Sequence, residues 1–235
     1  MYAIIDARAP RGCLDGLRAR GFKTILLPGD DRLAAPVSGH ADMLLYLGDR
    51  ILCRREYYDI AERELDAIAR LSGLSVELTD EKGSESYPRD VLFNAVRFGK
   101  YLFCRADSVS VAIREYADRT GLEIVNVRQG YAKCSVCAVS EGAAITADVG
   151  LAAALEAKGI EVLRVEPGHV TLPGYDSGFI GGATGVFGDS VFFCGSLEKH
   201  PNGNEIAEFC KKHEKTAVSL SDEELFDVGT IFFFE

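Results

Sequence analysis

The segment SGHADMLLYLG, residues 38–48, places His40 and Asp42 two residues apart at the entrance to an apolar run. An imidazole and a carboxylate at that spacing can exchange a proton or hold a cation between them. If the run is a β-strand from its first residue, alternation puts both side chains on one face. The same pair also serves as a plain polar entry to a strand, so spacing alone leaves both readings open. A nucleophile is available in GYAKCSVC, where Cys134 opens another apolar run directly after Lys133. A cysteine attacks as its thiolate, and a neighbouring Lys133 or His40 would lower its proton affinity. Free cysteines are also common core residues, and the chain has six others, at 13, 53, 104, 137, 194 and 210.

Other chemistries are disfavoured. Cys134 and Cys137 form a lone CxxC with no second pair at zinc-site spacing, so no metal is expected. KCSVCAV alternates like a strand, which would send the two sulfurs to opposite faces and argues against a redox couple. Seven scattered cysteines fit reduced thiols in a cytoplasmic protein better than a disulfide framework. GFIGGATG resembles a dinucleotide loop only in its glycines. On a hairpin strand it reads as close backbone packing, and no cofactor is expected. His200, before Pro201, reads as a surface or capping residue, and His169 and His213 as solvated. The net charge of −10 argues against broad nucleic-acid or acidic-membrane binding. No apolar run reaches membrane-spanning length, and MYAIIDARAP reads as an opening strand rather than a signal peptide. With 47% apolar residues, the chain can bury a sizeable core.

The elements that position these residues repeat. HADMLLYLG-DRILC, DVLFNAVRFG-KYLFC, CSVCAVSEG-AAITA and FIGGATGVFG-DSVFFC each read as two strands around a turn glycine, at 48, 99, 142 and 188. A helix follows each hairpin. Residues 54–72 carry Ile60, Leu65, Ile68 and Leu71 at helical spacing. Asp107 or Ser108 is expected to cap the next helix, with Val109, Ala112, Ile113 and Tyr116 inward. Asp148 caps the third, and residues 202–213 turn Ile206, Phe209 and Cys210 inward. Glycines 21, 73, 121 and 159 end helices and precede alternating strands. The unit is therefore strand–turn–strand–helix–strand, about 47 residues long if the chain divides into five.

The fifth unit is split between the ends. LFDVGTIFFFE and MYAIID are expected to pair as the missing hairpin, which closes a ring and shields apolar edge strands. The expected modules are 222–235 with 1–30, then 38–80, 88–129, 131–166 and 174–221, in one domain. Tight hairpins exclude a doubly wound sheet, and four amphipathic helices exclude an all-β propeller. In such a ring the inner strands start around a central pore, where His40, Asp42, Asp90, Asn94, Cys134 and Tyr175 would converge. Polar groups from several modules around one cavity are the usual form of a small-molecule site.

Five such modules resemble the pentein fold, the α/β-propeller of guanidino-group-modifying enzymes. Gly39-His40-Ala41-Asp42 resembles the GHxD segment of agmatine deiminases, whose histidine is a catalytic acid/base. Their nucleophilic cysteine lies two modules later, which here is Cys134. The chain also resembles a group of bacterial proteins of this fold through Tyr87-Pro88-Arg89-Asp90 with Asn94, through Gln129-Gly130-Tyr131-Ala132-Lys133-Cys134, and through the segment from Gly174 and Tyr175 to Phe179, Gly181 and Gly182. The resemblance implies Cys134 as nucleophile, with His40 and Asp42 as its catalytic partners. Asp90, Asn94, Lys133, Tyr175, Phe179, Gly181 and Gly182 would bind the substrate. It also implies a guanidinium-gripping acidic residue in a Gly-Gly-rich segment just before the histidine module. That module holds Asp227 and Gly229, whereas Gly181-Gly182 stands in another module with no carboxylate adjacent in sequence.

The resulting expectation is a five-module hydrolase or amidinotransferase-like enzyme acting on a small guanidino compound in the central pore. The alternative is a non-catalytic member of the fold: the ribosome anti-association factor is a pentein that binds a large partner without the enzyme triad, and the charge of −10 makes a small-ligand-binding or protein-interaction module the better form here. A homo-oligomer is compatible with either.

Overall fold

The computed structural model describes residues 1–235 and contains five three-stranded sheets. The first sheet takes β1 (Tyr2–Asp6), followed by α1 (Arg11–Ala19) and β2 (Lys23–Leu27). A one-turn helix, α2 (Ala41–Leu44), opens the second module, followed by β3 (Leu45–Leu47), β4 (Ile51–Arg54), α3 (Arg55–Ser72) and β5 (Val76–Thr79). The third has β6 (Val96–Phe98), β7 (Tyr101–Cys104), α4 (Val111–Thr120) and β8 (Glu123–Asn126). The fourth again opens with one helical turn, α5 (Ala132–Ser135). It continues through β9 (Val136–Ser140), β10 (Ala143–Thr146), α6 (Val149–Glu156) and β11 (Glu161–Arg164). The last contains β12 (Thr184–Phe187), β13 (Ser190–Phe193), α7 (Gly203–Lys212) and β14 (Thr216–Ser219). The terminal strand β15 (Phe232–Phe234) returns to the first sheet.

Each complete module is an antiparallel hairpin whose second strand pairs in parallel with the strand after the helix, as β3–β4–β5 does. The ββαβ unit expected from the repeat is therefore present. The expected end-to-end pairing is present too: β1 runs antiparallel to β15, with Tyr2 opposite Phe234 and Ile4 opposite Phe232. This puts the missing first strand of module one at the other end of the chain. Glycines 21, 73, 121 and 159 all have positive φ, where a Cβ is disfavoured. All seven cysteines are buried and unpaired.

Local expectations shift in four places. In α3 the buried stripe is Tyr57, Ala61, Leu65 and Ile68, whereas Ile60 is 43% and Leu71 38% exposed. The Tyr57 hydroxyl donates to Pro28 O, and Ala61 departs from helical geometry, so the inward face is set by Tyr57. Ser110, not Asp107 or Ser108, caps α4 by accepting from Ala112 N at 3.1 Å; Asp107 is taken by Arg105. His200 is buried rather than on the surface, and its Nδ1 accepts from Asn202 N just before α7. His213 is only 19% exposed, beside Glu161.

The fourth shift moves the site residues themselves. His40 and Asp42 do not lie on a strand. His40 is the residue before α2, Asp42 sits in its first turn, and β3 starts at Leu45. The His40 carbonyl accepts from both Met43 N and Leu44 N, which tightens the turn. Cys134 likewise lies in the turn α5, and only Cys137 is on β9, so strand alternation does not relate the two sulfurs.

Candidate functional site

The turns α2 and α5 bring Asp42 and Cys134 together. The thiol of Cys134 donates to Asp42 at 3.1 Å from Oδ1, with Oδ2 at 3.2 Å. Asn94, arriving just before β6, locks the contact. Its Oδ1 accepts from Lys133 N at 2.7 Å and Cys134 N at 3.2 Å, and its Nδ2 donates to Cys134 Sγ at 3.0 Å. The same Nδ2 reaches Asp42 O at 3.3 Å. With both ends of its amide engaged, Asn94 is a clamp between α2 and α5, and not the free ligand group expected from sequence.

Two further groups come from the segment before β15. Thr230 donates its hydroxyl to Asp42 Oδ2 at 2.7 Å and accepts from Lys133 Nζ at 3.0 Å. Asp227 holds Phe179 N and Gly229 N, each at 2.9 Å, and its Oδ1 lies 3.7 Å from His40 Nδ1. That last separation is too long for a hydrogen bond but suits an ion pair once the imidazole is protonated. His40, Asp42, Cys134 and Asp227 are all buried, Cys134 at 2% exposure.

Gly181 and Gly182 make this approach possible. Gly182 N donates to Cys134 O, and Gly182 O accepts from Val228 N and Thr230 N. A Cβ on Gly182 would overlap the Asp227 carboxylate, and one on Gly181 would strike the backbone of Lys133 and Val136. The pair therefore does have a carboxylate beside it. Asp227 meets it in space although it lies in another module. The glycines pack backbone against backbone, as expected, but in the turns before β12 and not on the strand.

Other candidates lie apart. Asp90 is buried, with Oδ2 accepting from Tyr131 OH at 2.6 Å and Oδ1 without a partner. The Tyr131 ring packs, tilted, between Tyr87 and Phe179, with centroids at 5.3 and 5.8 Å. Tyr175 is 48% exposed on a loop, so its side chain does not join the buried cluster.

Burial dominates the electrostatics. It pushes the Asp42 carboxyl above the usual range, opposed by His40, Lys133 and the Thr230 hydrogen bond. It pushes Asp227 up to about 6 and lowers His40, which favours a neutral imidazole. Cys134 is raised well above an ordinary thiol by burial first, then by Asp42 and Asp227. The lowered thiol expected from Lys133 or His40 is thus reversed: carboxylates, not cations, are its nearest charges.

Ligand atoms of His40, Asp42 and Cys134 lie within 4.8 Å of one another. The surrounding groups are donors, however: the Asn94 amide points at the sulfur, and the Thr230 hydroxyl at the carboxylate. A cluster lined by N–H and O–H donors with an ammonium behind them is built to share protons and not to ligate a metal ion. His40 and Asp227 line a cavity of about 380 Å³ together with Asp6, Arg8, Leu172 and Phe226. Asp42 and Lys133 line a second, of about 190 Å³, with Tyr46, Phe93, Arg97 and Phe232. Cys134 lines neither.

A family model described as a family of unknown function (DUF6873) matches residues 4–232. The chain belongs to that family. No curated protein matches the chain. Among solved structures, it is similar to a cysteine-to-serine mutant of DDAH from Pseudomonas aeruginosa complexed with citrulline, at TM-score 0.58 and 11% identity over 94% of this chain and 92% of that one. It is also similar to C. jejuni agmatine deiminase, at TM-score 0.57 and 7% identity over 94% and 87%. A third is SxtG, an amidinotransferase from Microseira wollei, at TM-score 0.56 and 12% identity over 97% and 94%. The fold is the pentein fold of guanidino-modifying enzymes. No helix is long and apolar enough to cross a membrane.

Sequence reasoning missed Thr230 altogether and named Asp227 without placing it in the site. The signal was the polar FDVGT interrupting the apolar terminal segment just before the expected pairing strand.

Proposed function

We propose that the chain is a pentein-type enzyme that acts on a small guanidino compound through Cys134 and His40. One observation carries this reading: a cysteine, a histidine and two carboxylates from three modules meet in one buried cluster beside a cavity. In the reaction, Cys134 gives its proton to Asp42 and attacks the guanidinium carbon, while Asp227 balances the cation's charge. Asp42 passes that proton to the departing amine, which leaves an amidino group on sulfur. Neutral His40 then takes a proton from water as that water attacks the same carbon, and the remaining hydroxyl proton goes to sulfur as the ureido product and the thiol are released. An amine in place of water would give amidino transfer.

The second reading, a non-catalytic binding member of the fold, is favoured by the direct Cys134–Asp42 contact and by the absence of Cys134 from the cavity wall. The test is a screen for ammonia and ureido release from arginine, agmatine and dimethylarginine, run beside Cys134→Ala. Release that the substitution abolishes supports the enzyme. Release that survives it removes Cys134 as nucleophile. Thermal stabilisation by a guanidino compound without release favours the binder.

A further inference from the structure

Asp42 and Lys133 occupy the same place in their own modules. Each is the second residue of a one-turn helix that opens an inner hairpin, α2 for one and α5 for the other. The two meet across Thr230, which accepts from Lys133 Nζ at 3.0 Å and donates to Asp42 Oδ2 at 2.7 Å. The other carboxylate oxygen takes the Cys134 thiol. Thr230 is held at φ 71°, a conformation a β-branched residue rarely adopts, with its N–H fixed on Gly182 O. Surroundings that impose such a conformation on a threonine point to a use for its hydroxyl.

We infer that Lys133 is a positioning residue: acting through Thr230, it keeps Asp42 a carboxylate beside Cys134, so that the thiol has a base to receive its proton. The accounting is short. The S–H bond of Cys134 breaks and an O–H bond forms on Asp42 Oδ1, while Thr230 and Lys133 keep their protons. The negative charge moves from Asp42 to the sulfur, and Lys133 neutralises it in either place.

The other groups facing Asp42 do not replace Lys133. His40, from its own segment, favours the carboxylate, but burial holds the imidazole toward neutrality. Asp227, from the segment before β15, opposes it, as does burial. Arg97, from β6, borders the same cavity, but it is exposed, and water and salt screen its charge. Lys133 alone is joined to Asp42 by an unbroken chain of hydrogen bonds.

The inference deepens the guanidino-enzyme reading, yet its test needs no substrate. The Asp42 carboxyl is followed by carbon-13 NMR across pH in selectively labelled protein, with Asp42→Asn assigning the signal. Lys133→Met is expected to raise the Asp42 midpoint by about one pH unit or more, because a charge one bridging hydroxyl away in a protein interior is worth at least that. Thr230→Val, which keeps the volume and the branched Cβ, is expected to raise it as well. Lys133→Arg and Thr230→Ser are expected to keep the wild-type midpoint. An Asp42 midpoint that stays put in Thr230→Val overturns the inference, whether or not Lys133→Met moves it or folds. Failure of the guanidino reading shows separately, as an absence of product release with the Asp42 shifts intact.

Discussion

Replacing Asp227 with asparagine should change how stability depends on pH, and the structure fixes the sign. Burial raises the Asp227 carboxyl to about 6 in the folded chain, whereas an unfolded aspartate titrates near its usual value of about 3.9. Between those values the folded state binds more protons than the unfolded one, so stability falls as pH rises. The contribution is fully present below about pH 4 and gone above about pH 6. A shift of roughly two units corresponds to about 3 kcal/mol. Asparagine cannot titrate, so Asp227→Asn removes this slope. It also turns an amide N–H₂ toward Phe179 N or Gly229 N, a cost independent of pH. Urea denaturation of both proteins at intervals from pH 4 to 7 separates the two effects. Wild type should lose about 3 kcal/mol relative to the variant across that window. Parallel curves would refute the assignment of burial as the controlling force. A wild type that gains on the variant as pH rises would show an Asp227 that is ionised and paired in the fold.

Three further outcomes follow from the same geometry. Gly182→Ala should cost about 3 kcal/mol or more, because its Cβ meets the Asp227 carboxylate, and chemical denaturation reads this directly. Asn94→Ala frees the N-terminal turn of α5 and removes the donor on Cys134 Sγ, so stability should fall by about 2 kcal/mol and Cys134 should alkylate faster than in wild type. If Asp227 balances the substrate cation, kcat/KM for a guanidino substrate should rise as pH passes through about 6, and that rise should be absent in Asp227→Asn.

Much of the fold was legible because the repeat states it several times. Turn glycines, helix-ending glycines and apolar hairpins recur in register, and the unpaired strands at the two ends can only complete each other. The helix faces were less legible. Ile60 and Leu71 carry the right spacing, yet Tyr57 anchors α3 on Pro28 and rotates them outward. The site was half legible. His40, Asp42 and Cys134 stand at module openings, where their types attract notice. The partners that define their chemistry come from far along the chain: Thr230 is 188 residues from Asp42, and Gly182 meets Asp227 only through packing between modules. The one-turn helices α2 and α5 were hidden as well, because four residues are too few for any periodicity. Proton affinities depend on the same tertiary contacts. A sequence placing Lys133 next to Cys134 suggests an acidic thiol, while the fold sends that ammonium to Thr230 and turns Asp42 to the sulfur.

The central claim is that Cys134 forms a covalent bond to the carbon of a guanidino group. Acid-quenched mixing with arginine, agmatine and dimethylarginine, followed by peptide mass spectrometry, tests it directly. The account predicts an amidino-type adduct on the peptide carrying Cys134, absent in Cys134→Ala and accumulating when His40→Ala blocks its hydrolysis. Product release with no adduct on Cys134 in wild type or His40→Ala, or an adduct on any of the other six cysteines, would contradict it.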